Sequence, residues 1–140
     1  MDVKTVFLHG TLEETIYMNQ PMGLVDKQKP NHLCLLKRSI YGPKQSPRQW
    51  NRRFDSSMIS LGFKRSKYDT CLYHKFSKKN PLYVLLYVDD ILLISSLKSA
   101  IVEVKNDLKK FLDMKDFGPA QKILGIKITR DRNKKVMCLS

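Results

Sequence analysis

The sequence predicts an α+β fold, an antiparallel sheet with helices packed on one of its faces. Three observations carry that expectation. Short strand-like runs succeed one another with turn residues between them, and two other segments repeat their apolar residues at helical spacing. No repeat, low-complexity tract or Gly/Ser linker interrupts the 140 residues. With 42% apolar residues, a single domain over 1–140 is expected, since a chain of this size buries roughly 70% of the surface its unfolded form exposes.

The first strand is read at 33–36. A helix follows, with Ser46 as N-cap and Pro47 at its first position. Trp50, Phe54, Met58 and Leu61 recur along it at helical spacing, and Gly62 closes it. Strands are expected at 71–76, 82–88 and 91–94, with the turn between the first two at 77–81. A second helix runs from Ser99 to about Leu112, burying Ile101, Val104, Leu108 and Phe111. A last hairpin pairs 122–129 with 136–139 around 130–135. Asp2 begins with no element before it and Ser140 falls within or just past a strand. The segment therefore reads as a piece of something longer, incomplete at both ends.

Charge narrows the function. Twenty-six Lys and Arg against 13 Asp and Glu leave +13, which calls for a polyanionic partner, nucleic acid or an acidic membrane surface. Residues 37–79 hold 12 of the cations against only Asp55 and Asp69. Aromatic residues interleave there (Tyr41, Trp50, Phe54, Phe63, Tyr68), so a nucleic-acid track and a solvated face both remain open. Arg48, Arg52 and Arg53 fall largely off the apolar stripe of the first helix and are the candidate nucleic-acid contacts. Cys34, Cys71 and Cys138 lack C-x-x-C spacing, which argues against a disulfide framework or structural zinc and for a reducing, intracellular setting. No apolar cleavable segment opens the chain, so secretion has no support. The longest apolar run, 82–94, is shorter than the about 20 residues a bilayer needs and contains two acids, which excludes membrane insertion. His9, His32 and His74 show no metal-ligand spacing.

Asp89 and Asp90 are the sharpest chemical feature. Two adjacent carboxylates inside an apolar run are costly to bury, so both are expected at a tight hairpin turn. Each raises the other's pKa unless a cation lies between them. An oxygen-preferring divalent ion, Mg²⁺ above all, resolves the conflict. A solvated Asp-Asp turn without a ligand is the alternative.

Further blocks turn this into a resemblance. Tyr87-Val88-Asp89-Asp90 resembles the Y-x-D-D signature of reverse transcriptases. Asp2-Val3-Lys4-Thr5-Val6-Phe7-Leu8-His9-Gly10 resembles the first palm motif of copia-type LTR-retrotransposon polymerases, and the stretch from Ser39 to Trp50 is similar to the SLYGLKQAPRQW segment of the same family. Met114-Lys115-Asp116-Phe117-Gly118 and Lys122-Ile123-Leu124-Gly125-Ile126 follow in the family's order. Pro43 stands where the family usually has Leu, and Ser46 replaces Ala.

The resemblance implies a polymerase palm, ferredoxin-like, from an RNA-directed DNA polymerase within a Pol polyprotein. It implies two Mg²⁺ ions, replaceable by Mn²⁺, about 3.5–4 Å apart. Asp2, Asp89 and Asp90 would be the metal-binding and catalytic carboxylates, Asp90 the more peripheral. Val3, Thr5, Val6, Phe7, Tyr41, Gly42 and Lys44 would face the incoming deoxynucleotide, with Phe7 as an aromatic gate against a 2′-hydroxyl. Lys115 is a candidate general acid for pyrophosphate; a surface lysine near a helix end is the alternative. Leu124, Gly125 and Ile126 would form the primer grip, for which an edge strand with a Gly bulge is the same geometry. The partners implied are an RNA/DNA template–primer, a dNTP and the remaining fingers, thumb and RNase H.

The strand that delivers the first acid is expected upstream of Met1, which would leave Asp2 on a fraying terminus and the segment inactive alone, with weak metal binding. A catalytically dead basic module with nonspecific nucleic-acid binding is the alternative function. Another palm-like two-metal enzyme, such as a cyclase, would explain the acids but not the 39–50 block.

Overall fold

The computed structural model describes residues 1–77 and 80–140. In chain order it runs β1 (Asp2–Val3), a 3-10 turn (Val6–His9), β2 (Tyr17–Met18), β3 (Cys34–Leu35), α1 (Ser46–Ser60), β4 (Lys64–Arg65), β5 (Leu72–Ser77), β6 (Asn80–Tyr87), β7 (Asp90–Ser95), α2 (Lys98–Phe111), β8 (Met114–Lys115), β9 (Lys122–Ile123), β10 (Ile126–Asp131) and β11 (Val136–Leu139). The fold is mixed α+β with antiparallel sheets, as the sequence predicts. Two compact units are present, one comprising Met1–Lys4 with Ser57–Ser140 and the other Thr5–Ser56.

In the first unit a six-stranded sheet has the order β4-β5-β6-β7-β1-β8. β5, β6 and β7 form an antiparallel meander, and along β6 the buried residues alternate. Leu82, Val84 and Leu86 point to one face of β6, where the register sets them beside Tyr73, Leu93 and Ile91. Tyr73 and Val84 are fully buried, and Leu82, Leu86 and Ile91 nearly so. α2 packs its Val104 and Leu108 into this core, and Leu112, just past the helix, joins them. No helix among the described residues is long and apolar enough to cross a membrane.

The end of α1 is closed as its sequence requires. Gly62, at φ 80°, donates to Ile59 O at 2.9 Å, and Phe63 N–H reaches Met58 O at 3.0 Å. That is a Schellman cap, with its usual apolar contact supplied by buried Met58 and Phe63. Lys75 on β5 adds a 2.8 Å bond to Leu61 O, a cation on the negative end of the helix dipole.

The second unit is built from loops around β2 and β3, which pair Tyr17 with Leu35 and Met18 with Cys34. Gln20 organises the loop between them. Its amide donates to Lys29 O at 2.8 Å and His32 O at 3.0 Å, while its carbonyl accepts from Asp26 N–H at 2.7 Å. Trp50 and Phe54 on the first turns of α1 are buried, ring centroids 5.6 Å apart.

Several local expectations need correction. Ser46 is not an N-cap: it lies inside α1, wholly buried, and its hydroxyl donates to Ile40 O at 2.6 Å. Gln45 starts the helix instead, accepting from Gln49 N–H at 3.0 Å. Phe111 is exposed, because the buried stripe of α2 advances by fours through 104 and 108 to Leu112. The expected strand 122–129 is broken in two at Leu124-Gly125. Strands β1, β2, β4 and β8, two residues each, were not anticipated. The expected turn at 77–81 centres on Lys78 and Lys79, which lie outside the described residues.

Leu108→Ala is expected to destabilise the protein by about 2–5 kcal/mol in urea unfolding, since Leu108 is fully buried. A second expectation concerns pH. Asp116 accepts from Lys105 Nζ at 2.7 Å and from Gly118 N–H at 2.9 Å, and these bonds hold its pKa below 3.8. A depressed folded-state pKa stabilises above the unfolded value and stops doing so as pH falls through the folded value. Asp116→Asn is therefore expected to lower the urea midpoint at neutral pH, with the gap to the parent closing below pH 3.8.

Candidate active site

Asp2 and Asp90 are cross-strand neighbours in the six-stranded sheet, and Asp89 lies in the adjoining turn. β6 and β7 are joined by the two-residue turn Val88-Asp89, closed by the pair Tyr87 and Asp90. Only Asp89 of the two acids is in the turn; Asp90 opens β7. Val88 has φ 54°, a left-handed conformation that tight hairpins normally give to Gly and that strains a β-branched residue.

Asp2 on β1 is the cross-strand partner of Asp90. Val3 N–H donates to Asp89 O at 3.0 Å and Ile91 N–H to Met1 O at 2.8 Å, one residue to either side of that pair. Asp2 and Asp90 are thus a non-hydrogen-bonded pair, Cα atoms about 4.5 Å apart with both side chains on one face. On its other side Asp2 faces Lys115 of β8. Tyr87, Asp90, Asp2 and Lys115 consequently form one row across four strands. Val3 and Ile91, the next residues along, turn into the core at 2% and 3% exposure.

Met1–Lys4 is hydrogen-bonded to the strands on both sides. Besides the bonds to β7, Lys4 N–H donates to Asp113 O at 2.9 Å and the Met1 ammonium to Ile91 O at 2.9 Å. Burial lowers the pKa of that ammonium, against the opposing pull of Asp116 and Asp90.

The remaining candidates are distributed over both units. Val3 has a core side chain, and its N–H is spent on Asp89. In the second unit, Thr5 (φ 48°) precedes the 3-10 turn carrying Val6 and Phe7, both buried. The ring of Phe7 meets the exposed ring of Tyr41 edge-on, centroids 4.4 Å apart. Gly42 has φ 119°, and Lys44 is exposed. Arg48, Arg52 and Arg53 are exposed on α1, Arg52 paired with Glu13 at 2.7 Å. In the first unit, Leu124 (φ 50°) and Gly125 (φ 83°) form a two-residue turn closed by Ile123 and Ile126, a hairpin turn where a bulge was expected. The Phe7–Tyr41 contact and the Asp2–Lys115 pairing went unread, because they join residues 34 and 113 positions apart with no local signal.

Residues 1–140 match the family described as "Reverse transcriptase (RNA-dependent DNA polymerase)". The chain belongs to that family. Its relatives place it with reverse transcriptases of copia/Ty1-type retrotransposons. It is 50% identical over 141 residues to the retrovirus-related Pol polyprotein from transposon TNT 1-94 of Nicotiana tabacum, covering 100% of this chain and 11% of that one. It is 36% identical over 133 residues to the putative transposon Ty5-1 protein YCL074W of Saccharomyces cerevisiae, covering 95% and 43%. It is also 36% identical over 130 residues to the retrovirus-related Pol polyprotein from transposon RE1 of Arabidopsis thaliana, covering 93% and 9%. The chain thus spans 9 to 43% of the length of these relatives. No solved structure matches it.

A reverse transcriptase implies divalent metal, and the acidic row fits one. Its donors are hard carboxylate oxygens, two of them directly opposed, and Mg²⁺ is commonly held by one or two carboxylates with substrate phosphates supplying the rest. Among the described residues no three His, Cys, Asp or Glu side chains gather closely enough to hold an ion by themselves.

Opposed like charges predict a measurable tension. Asp90→Asn is expected to raise the melting temperature without divalent ion by the equivalent of roughly 0.2–1 kcal/mol. It should also remove any stabilisation that Mg²⁺ confers on the parent, as read by melting with and without the ion.

Proposed function

We propose that this reverse transcriptase chain serves RNA-directed DNA synthesis, adding deoxynucleotides to a primer by two-metal phosphoryl transfer. Residues 1–140 would be one partial domain of a Pol polyprotein acting with fingers, thumb and RNase H, inside the cell in a particle or the nucleus. The observation that supports this most is the register that sets Asp2 against Asp90, beside the turn that carries Asp89.

In this reading Asp2, Asp89 and Asp90 hold Mg²⁺ or Mn²⁺. When bound, the ions supply Lewis acidity and offset negative charge at the 3′-oxygen and the triphosphate. The protein's own part is mainly placement. The sheet fixes the carboxylates by backbone hydrogen bonds on both sides of β1. Lys115, across from Asp2, donates a proton to the departing pyrophosphate. The Phe7 ring excludes a 2′-hydroxyl, while Thr5, Val6, Tyr41, Gly42 and Lys44 border the nucleotide. Leu124, Gly125 and Ile126 contact the primer, and Arg48, Arg52 and Arg53 the phosphates of the template–primer.

The test is primer extension on an RNA template. The 140-residue chain alone is expected to be inactive. Within a longer Pol polyprotein, extension is expected, and Asp89→Asn is expected to reduce it about a thousandfold or more, equivalent to several kcal/mol of lost charge stabilisation. Extension that survives Asp89→Asn would overturn the reading, and no extension in either context would favour the inactive basic module. In the active polyprotein, Phe7→Ala should lower discrimination against ribonucleotides by about 10–200-fold, the range available to a pocket contact. Tyr41→Ala should act in the same direction through its edge contact with Phe7. In the double variant the two effects should not add, as competition assays with mixed nucleotides will show.

A further inference from the structure

The second concentration of cations lies far along the chain from the 37–79 block. Residues 122–135 hold six Lys and Arg against Asp131 alone. Their framework is the β9-β10-β11 sheet, whose apolar residues Ile126, Met137 and Leu139 are themselves exposed. Among the described residues no ion pair involves any of the six cations. Lys122 and Lys127 are direct cross-strand partners, an arrangement of like charges that costs stability unless an anion lies between or beside them.

The tip is more specific than a charged run. Asp131 and Val136 close a four-residue loop. Asp131 Oδ1 accepts from Asn133 N–H at 2.9 Å and from Lys134 N–H at 3.0 Å, so the one acid is occupied in shaping the loop. Lys135, at φ 54°, turns the chain back into β11. The result is an open pocket of about 270 Å³ lined by Arg130, Asp131, Arg132, Lys135, Val136 and Met137. Three cations thus border one concavity whose only carboxylate is tied to backbone N–H groups. Guanidinium groups bind phosphate oxygens in a two-point fork, and an ammonium adds a third charge.

We propose that this tip is a phosphate-binding pocket for the sugar–phosphate backbone of nucleic acid, with Arg130, Arg132 and Lys135 as its contacts. The choice of nucleic acid rests on the polymerase reading above, since a template–primer is the polyanion such an enzyme handles. Recognition through the phosphate backbone is independent of sequence, because phosphate contacts carry no base information.

The experiment measures binding of the 140-residue chain to a fluorescent RNA–DNA hybrid by anisotropy over a salt series. Each lost phosphate contact should reduce the slope of log K against log salt by about 0.9. The variant Arg130→Gln/Arg132→Gln/Lys135→Gln should therefore lose about 2–3 units of slope and bind roughly 30–300-fold more weakly near 0.1 M salt. Arg130→Lys/Arg132→Lys keeps the charges and should keep the slope, which separates loss of charge from loss of fold. An unchanged slope in the triple variant overturns the pocket, as does an absence of any hybrid binding by the parent. Acidic phospholipid vesicles supply the third arm: vesicle binding lost in the triple variant while hybrid binding persists would also overturn it. The polymerase reading fails on a different readout, the indifference of primer extension to Asp89→Asn, so the two failures are distinguishable.

Discussion

The acidic row depends on backbone hydrogen bonds to a strand of two residues. β1 lies between β7 and β8, with Val3 N–H on Asp89 O and Lys4 N–H on Asp113 O. Side chains alternate along a strand, so a slip of one residue would exchange Asp2 for Val3 on the core face. Val3, at 2% exposure, opposes that slip, because the exchange would bury a carboxylate and expose an apolar side chain. Hydrophobic burial one residue away thus sets where the charge stands.

Two lysines connect the helices to this framework. Lys75 reaches from β5 to the last carbonyls of α1, and Lys105 reaches from α2 to Asp116, just beyond β8. Phe117 follows, its ring 5.1 Å from Lys115 Nζ. The segment from Met114 to Gly118 is therefore braced on both sides of the lysine that faces Asp2. Among the described residues the Lys115 ammonium makes no ion pair, and its neighbour is the Phe117 ring rather than a carboxylate of the row.

Much of this was legible in the sequence, for reasons that differ by element. β6 and β7 were readable because an apolar run interrupted by two acids is a local signal, although the turn falls at Val88-Asp89 rather than at the two acids. α1 was readable from Trp50, Phe54 and Met58 and from Gly62, whose left-handed conformation its end requires. Short strands were not, because β1, β4 and β8 exist only through long-range partners and carry no periodicity of their own. Ser46 was misread because a Ser-Pro pair signals a cap locally, whereas burial against Ile40 O decides its bond. Asp2, Asp89 and Asp90 were singled out as candidates through motif resemblance and the cost of burying charge; that Asp90, rather than Asp89, is opposite Asp2 needed the register.

The order of the large sheet has a consequence for how the chain behaves outside its folded state. Its most apolar strand, β6, is internal, two positions from one edge and three from the other. The edges themselves are β4 and β8, two residues each, carrying Lys64, Arg65 and Lys115. An unpaired strand edge templates pairing with another molecule, and short, cationic edges suppress it. The folded sheet thus keeps a segment with strong self-pairing tendency away from other copies of itself. Unfolding removes that shelter at once, so aggregation of this chain should track the population in which β6 has lost β5 or β7 rather than the concentration of intact protein.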